Sequence, residues 1–288
     1  MRLKPGITLA YADDMLRRCE TEWSNARGAQ DYFAAYTVAV HNTGPMLRRI
    51  FAEPDLAAGM YTPAYWNLLQ IGDRRTAVSF TNDPDIARGW ANALRAQNSA
   101  LAGEIEVQVH ALELARSQFD ALKELASRPG LPIVYDTNML NHWQQPGDIR
   151  WRELFRERGE VVPLARLVVP LRVIDELDRQ KYGSGDLAKK AATAIRYLDR
   201  VLADSPAGEP VELRTGESTL EVWLDTDDRS SDVDLAILRC AADLANLHPG
   251  TGARVLTDDV GMRLRAGQLN LPVVRLPAAY RKKGTAMD

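Results

Sequence analysis

The chain has 288 residues, of which 45% are apolar and 26% charged, and its formal net charge is −3 at pH 7. This composition is ordinary for a globular protein, and the length allows one large domain or two moderate ones. A slightly negative charge gives no overall attraction to a polyanion, so a nucleic-acid ligand would need a local basic surface.

The sequence lacks the patterns of membrane, secreted and zinc-binding proteins. No run approaches the roughly 20 apolar residues of a membrane helix, and the N-terminal segment lacks the apolar core of a signal peptide. Cys19 and Cys240 are far apart and have no ligand spacing, which favours two reduced thiols over a disulfide or a zinc site. We therefore expect a cytoplasmic protein that contacts no membrane.

Residues 1–129 are predicted to form an all-α N-terminal region. Helical periodicity extends from Ala12 to Val40, and the glycine and proline within His41–Pro45 predict a break. Two shorter helices are predicted over residues 45–51 and 63–71.

A long amphipathic pattern completes this region. Asn82 and Asp83 precede a proline, which is typical of a helix start. Apolar residues then recur three and four positions apart over residues 84–126, as in one helix of roughly 60 Å or a helical hairpin. Gln97 and Gln108 interrupt the apolar face and predict a break. A self-packed core is favoured for this region, and substrate positioning, a homodimer contact and a regulatory protein partner remain open.

Residues 130–288 change character, because short apolar strands now alternate with helices. This alternation predicts an α/β domain with a parallel sheet covered on both faces. The predicted strands are Ile133–Tyr135, Arg166–Val169, Arg254–Leu256 and Val273–Arg275, and helices are expected to begin near Trp151, Leu171, Asp186, Asp234 and Gly261. A β-hairpin insertion is predicted near residues 209–225, from apolar runs on both sides of a polar turn.

Acidic residues follow two of the predicted strands. Asp136 comes after the strand at 133–135, and Asp258 and Asp259 come after the strand at 254–256. The carboxyl ends of parallel strands meet at one edge of the sheet, where carboxylates repel one another unless a cation lies between them. A helix cap is the structural alternative for each of these acids, and spacing does not choose between Asp258 and Asp259.

Further acids lie on predicted helices. Asp232 and Asp234 begin one helix, where the helix dipole also favours an acid. Asp175, Glu176 and Asp178 lie on another, and helical pitch does not choose among them. A site made only of carboxylates suits Mg²⁺ or Mn²⁺. Nearby basic residues are candidates for phosphate contact or for a solvated face: Arg172, Arg179, Lys181, Lys189, Lys190 and Arg196.

Four short motifs in residues 131–276 resemble those of the PIN-domain nucleases, and the predicted hairpin resembles insertions in the larger bacterial members. The motifs are YDTN at 135–138, VIDELD at 173–178, DLAIL at 234–238 and TDDVGMRLRA at 257–266. The motifs select one acid in each segment, namely Asp136, Glu176, Asp234 and Asp259. The helical N-terminal region lies outside the resemblance.

The resemblance implies a Rossmann-like three-layer fold and a Mg²⁺- or Mn²⁺-dependent endoribonuclease with RNA as its substrate. The four selected acids would be both the catalytic residues and the metal ligands. Residues expected to orient ligands or contact substrate are Asn138, Thr257, Asp232, Asp258, Arg179 and Lys181. Two alternatives remain open: a DNA or flap nuclease with the same site, and a non-catalytic PIN-like module whose sheet edge binds protein or RNA.

Overall fold

The computed structural model describes residues 2–52, 57–73, 83–224 and 232–282. The chain divides into two compact units, Met1–Leu125 and Ala126–Asp288. Asn82 of the predicted helix start and residue 225 of the predicted hairpin lie outside the described residues. Within those residues no helix combines the length and the apolar character needed to cross a membrane.

The first unit is built from helices. These are α1 (Leu9–Arg27), α2 (Tyr32–Ile50), α3 (Pro63–Ile71) and α4 (Pro84–Ser127). The predicted break at His41–Pro45 is wrong, because α2 continues through Pro45. Packing on α1 overrides the proline: Trp23 Nε1 donates to Thr43 Oγ1 at 3.1 Å, and both side chains are fully buried.

The long helix α4 is continuous over 44 residues, so the predicted break at Gln97 or Gln108 is also wrong. Both glutamine side chains are buried, and each bonds to a backbone carbonyl of the preceding segment. Gln97 Nε2 donates to the oxygen of Gly72 at 2.8 Å, and Gln108 Nε2 donates to that of Gly59 at 2.9 Å. These bonds satisfy the amides inside the apolar face, where an unpaired polar group would be costly.

The second unit contains a six-stranded sheet in the order β3-β4-β2-β1-β5-β6. The strands are β1 (Leu131–Tyr135), β2 (Ala165–Pro170), β3 (Val211–Arg214), β4 (Ser218–Trp223), β5 (Arg254–Leu256) and β6 (Val273–Val274). All neighbouring strands are parallel except the pair β3–β4. Every residue of β1 and β2 is buried, as expected for central strands with helices on both faces. The predicted α/β fold is confirmed.

The described helices of the second unit are α5 (Thr137–His142), α6 (Trp151–Glu157), α7 (Leu171–Lys181), α8 (Gly185–Leu202), α9 (Val233–Leu247) and α10 (Val260–Gln268). Five of these helices begin within one residue of the predicted positions, and α5 has no predicted start. The predicted hairpin is formed by β3 and β4 and is part of the sheet, because β4 pairs in parallel with β2. Only β3, at the sheet edge, runs against the other strands.

Candidate active site

The register of the central strands places two site residues side by side. Asp136 follows β1 and Thr257 follows β5, and the preceding residues Tyr135 and Leu256 are paired across the two strands. Thr257 Oγ1 donates to Asp136 Oδ2 at 2.6 Å. The same hydroxyl accepts the backbone N–H of Asp259 at 3.1 Å. Thr257 therefore connects Asp136 to the turn that carries Asp259.

Asp136 and Asp259 also cap helices, so the alternative role predicted for them, as helix caps, is correct in addition to their place at the site. Asp136 Oδ1 accepts the N–H of Asn138 at 3.3 Å, and Asp259 Oδ1 accepts the N–H of Met262 at 2.8 Å. Asp136 is only 3% exposed, whereas Asp259 is exposed. Asp136 thus lies at the base of the site and Asp259 at its opening.

Glu176 is held over the same edge by residues of α5 and α7. Thr137 Oγ1 donates to Glu176 Oε2 at 2.5 Å, and Gln180 Nε2 donates to Glu176 Oε1 at 3.2 Å. Gln180 Oε1 in turn accepts a 2.8 Å hydrogen bond from Nδ2 of Asn141. Both oxygens of the carboxylate are therefore oriented by neutral donors, which leaves its negative charge uncompensated.

The other two acids of α7 have cationic partners on their own helix. Asp175 pairs with Arg172 at 3.7 Å and Asp178 pairs with Lys181 at 2.5 Å. Glu176 is thus the acid of α7 that bonds to α5. Lys181, a predicted phosphate contact, is occupied by its ion pair with Asp178.

The two acids at the start of α9 have separate partners. Asp232 caps the helix, with Oδ1 accepting the N–H of Leu235 at 3.3 Å. Asp234 lies two residues further on, in the first turn of α9, and its Oδ2 accepts a 2.7 Å hydrogen bond from Nη1 of Arg265 on α10. Arg265 therefore supplies a positive charge to one carboxylate of the proposed set.

The remaining predicted residues lie around this group. Asp258 accepts two hydrogen bonds from Arg275, at 3.0 and 2.8 Å, and so has a partner away from Thr257. Asn138 contributes its backbone N–H to Asp136, and its side chain is exposed. Arg179 is exposed on α7.

The charges of neighbouring acids act on Asp136 and Asp234. Burial raises the pKa of Asp136, and the charges of Asp234 and Asp259 raise it further, while the bond from Thr257 opposes the rise. Burial also raises the pKa of Asp234; Arg265 lowers it, and the charges of Asp232, Asp259 and Glu176 raise it. Asp136 and Asp234 therefore each lie in the repulsive field of neighbouring acids.

The donor set suits a hard divalent cation, since it consists of carboxylate and hydroxyl oxygens. In the parts of the chain that are described, no three His, Cys, Asp or Glu side chains form a ready cage for an ion. Mg²⁺ does not need such a cage, because it usually binds through one or two carboxylates and keeps several waters. The residues present therefore fit a hydrated Mg²⁺ or Mn²⁺.

Three contacts at the site escaped the sequence analysis. Thr137 and Gln180 orient Glu176, and Arg265 neutralises Asp234. Thr137 stands within the YDTN motif, directly after Asp136, so the motif indicated that its side chain lies at the site. Arg265 also lies in a family motif, TDDVGMRLRA. Its contact with Asp234 could not be predicted, because it depends on how α9 and α10 pack.

Comparison with known proteins identifies the family. A family model described as the PIN domain matches residues 133–276, half of the chain. The chain belongs to the PIN-domain family. The matched range begins in β1 and ends just after β6, so this PIN domain includes all four selected acids. PIN domains are generally nucleases.

Two further comparisons add no functional information. A solved structure, a domain of a functionally unknown protein from Methanocaldococcus jannaschii DSM 2661, is 19% identical over 55% of this chain and 99% of that chain, with a TM-score of 0.32. No curated protein matches the sequence. The function of this PIN domain therefore depends on the chemistry of the residues at its site.

Proposed function

We propose that this PIN domain is a Mg²⁺- or Mn²⁺-dependent endoribonuclease that hydrolyses RNA phosphodiester bonds. The observation that carries the proposal is the hydrogen-bonded connection of acids at the carboxyl edge of the sheet: Thr257 bonds to Asp136 and to the turn of Asp259, and Thr137 bonds to Glu176. Grouping carboxylates at one edge of a sheet is unfavourable unless a cation binds among them. A divalent ion bound there supplies charge neutralisation and Lewis acidity for phosphodiester hydrolysis.

The chain's own residues prepare this site before any ion binds. Thr257 restrains the buried carboxylate of Asp136, and Thr137 restrains that of Glu176. Such supporting hydrogen bonds keep ligand oxygens oriented. Asp259 lies at the solvent side, where a phosphodiester strand would approach. RNA as the substrate rests on the family resemblance.

The proposal is tested with labelled single-stranded RNA and DNA of one sequence, incubated with Mg²⁺, Mn²⁺ or EDTA. Asp136→Asn removes the charge at the base of the site and keeps an oxygen that can accept the bond from Thr257. We expect a rate loss larger than the roughly 100-fold that loss of a supporting partner costs. Asp258→Asn is the matched control, because Asp258 lies in the adjacent turn and pairs with Arg275.

Each alternative has its own outcome. Cleavage in EDTA, or equal rates for wild type and Asp136→Asn, would contradict the metal-dependent mechanism. Faster cleavage of DNA than of RNA would assign the site to a DNA or flap nuclease. Metal binding without cleavage of either strand would favour an interaction module.

A further inference from the structure

A second charged group lies at the far end of α5 from Asp136. It consists of His142, Lys190, Arg281 and Lys282, which we call the basic cluster. The chain near its C-terminus returns to α5: Trp143 and Arg281 form an antiparallel bridge, and the N–H of Lys282 donates to the oxygen of His142 at 3.0 Å. This return brings two cations from the end of the described chain beside a histidine of the active-site helix.

Lys282 fixes this arrangement. Its Nζ donates to the backbone oxygens of Leu140 and Asn141, at 2.8 and 3.2 Å. These oxygens lie in the last turn of α5, where the helix dipole favours a cation. Lys282 thus has a structural task, and its ammonium holds the segment in place.

Arg281 has a different environment. Its guanidinium lies over the ring of Trp143, 5.8 Å from the centroid. Its Nε is buried and has no hydrogen-bond partner among the described residues. Over the same residues no carboxylate lies within ion-pair distance of Arg281. A buried guanidinium nitrogen without an acceptor is costly. The two Nη groups are not among the buried atoms without a partner, so an anion would contact the guanidinium through them and stabilise its charge.

The cluster carries excess positive charge. Lys190 pairs with Asp186 at 2.5 Å; the side chain of Lys190 is 17% exposed and that of Asp186 is 71% exposed, so water screens the pair on the Asp186 side. Burial lowers the pKa of His142, and Lys190, Arg281 and Lys282 lower it further, with Asp186 acting in the opposite sense. Mutual repulsion of this kind is relieved when an anion binds.

We propose that the basic cluster binds a backbone phosphate of the nucleic-acid strand, close to the bond that is cleaved. The proposal rests on the nuclease function proposed above. The six residues of α5 span about 9 Å. A strand in B-form geometry places a phosphate about every 3.4 Å along its axis, so the bound phosphate lies within about three nucleotides of the scissile one. Guanidinium and ammonium groups are suited to phosphate oxygens.

The test is direct binding, measured by fluorescence anisotropy with labelled single-stranded RNA and DNA in EDTA over a series of KCl concentrations. The variants are Arg281→Gln, Lys190→Gln and the double variant. Arg200→Gln is the charge-matched control, because Arg200 lies on the same helix as Lys190, about 15 Å further along. Thermal melting checks that all four variants fold.

We expect each cluster substitution to weaken binding and to reduce the slope of log K against log[KCl] by about 0.7, the value for one phosphate contact on a single strand. The double variant should weaken binding further but lose about 0.7 of slope in total, because both cations serve the same phosphate, and Arg200→Gln should retain the wild-type slope. Equal slopes in the cluster variants and in Arg200→Gln would overturn the proposal, as would a wild type that binds neither strand.

Cleavage assays separate this proposal from the nuclease proposal. With Mg²⁺, the cluster variants should raise KM and leave kcat near the wild-type value, since they act through substrate binding. Asp136→Asn should bind RNA and fail to cleave it. If the wild type cleaves RNA and Arg281→Gln binds it normally, only the proposal of phosphate binding by the basic cluster is refuted. If the wild type does not cleave and Arg281→Gln loses binding, only the nuclease proposal is refuted.

Discussion

The hydroxyl of Thr257 donates a 2.6 Å hydrogen bond to the buried carboxylate of Asp136, across two strands that are 121 residues apart in sequence. This bond opposes the rise in the pKa of Asp136 that burial and the neighbouring acids produce. Thr257 therefore helps to keep the carboxyl group of Asp136 ionised. The carboxylate is the form that binds a metal.

Replacing Thr257 by valine keeps the shape of the side chain and removes the donor. The pKa of Asp136 should rise further, because the bond that lowers it is lost. The acid limb of the pH–rate profile should therefore move to higher pH, and activity at neutral pH should fall by roughly 10- to 100-fold. The profile is measured from pH 5 to 9 at saturating Mg²⁺.

Two variants control this experiment. Thr257→Ser restores a hydroxyl and should restore the profile, whereas Thr251→Val alters an exposed threonine in a turn and should have no effect. An unchanged acid limb in Thr257→Val would show that Thr257 only fills space.

The second prediction concerns Arg265, which forms an ion pair with Asp234. If a divalent ion binds the carboxylate of Asp234, it competes with the guanidinium of Arg265 for that carboxylate. Removing the guanidinium removes this competition. Arg265→Gln should therefore bind Mn²⁺ more tightly, as measured by electron paramagnetic resonance of the free ion. Arg200→Gln, which alters an exposed arginine that lies over Tyr197 on α8, should bind Mn²⁺ as the wild type does. Weaker binding in Arg265→Gln would mean that Arg265 positions Asp234 for the metal.

The sheet and the acids on it could be predicted because their signals are local. A run of buried apolar residues predicts a strand, and Asp136 and Asp259 stand one and three residues beyond such runs. The parallel arrangement then brings both acids to one edge. Glu176 required the family motif, because Asp175 and Asp178 fit the helix equally well.

Features that depend on distant contacts could not be predicted. The helix α2 passes through Pro45 because Thr43 packs against Trp23, and α4 passes through Gln108 because Gly59 accepts its amide. The basic cluster has the same origin: nothing in the residues around Arg281 indicates that this segment pairs with the end of α5.

A third prediction concerns stability without metal. The pKa of Asp136 is raised in the folded state, so its ionisation opposes folding; the penalty is absent at acid pH, grows as pH rises through the folded pKa and is complete at neutral pH. Asp136→Asn should therefore melt at a higher temperature than the wild type in EDTA at pH 7.5. Adding Mg²⁺ should stabilise the wild type and have less effect on the variant.

Asp258→Asn is the control for that measurement, because its carboxylate pairs with Arg275. It should not gain stability in EDTA, and it should keep the wild-type response to Mg²⁺. A lower melting temperature for Asp136→Asn in EDTA would contradict the account of repelling carboxylates.

The last prediction concerns His248, at the end of α9. Arg166 Nη1 lies 2.9 Å from His248 Nε2, and a guanidinium can only donate, so Nε2 accepts and the proton of the neutral ring is on Nδ1. Burial and the charge of Arg166 lower the pKa of His248 from 6.5 to about 4. The unfolded chain therefore binds a proton that the folded protein does not bind between these values. Stability should be complete above about pH 6.5 and should decrease as pH falls towards 4, by at most about 3 kcal/mol.

Urea unfolding of the wild type and of His248→Gln at several pH values between 7.5 and 4.5 isolates this contribution, since all other titrating groups are shared. The difference in unfolding free energy between the two proteins should shrink as pH falls, because glutamine does not titrate. Nitrogen-15 spectra of the imidazole should show the Nδ1–H form at neutral pH. A difference that stays constant with pH, or an Nε2–H ring, would contradict the contact with Arg166.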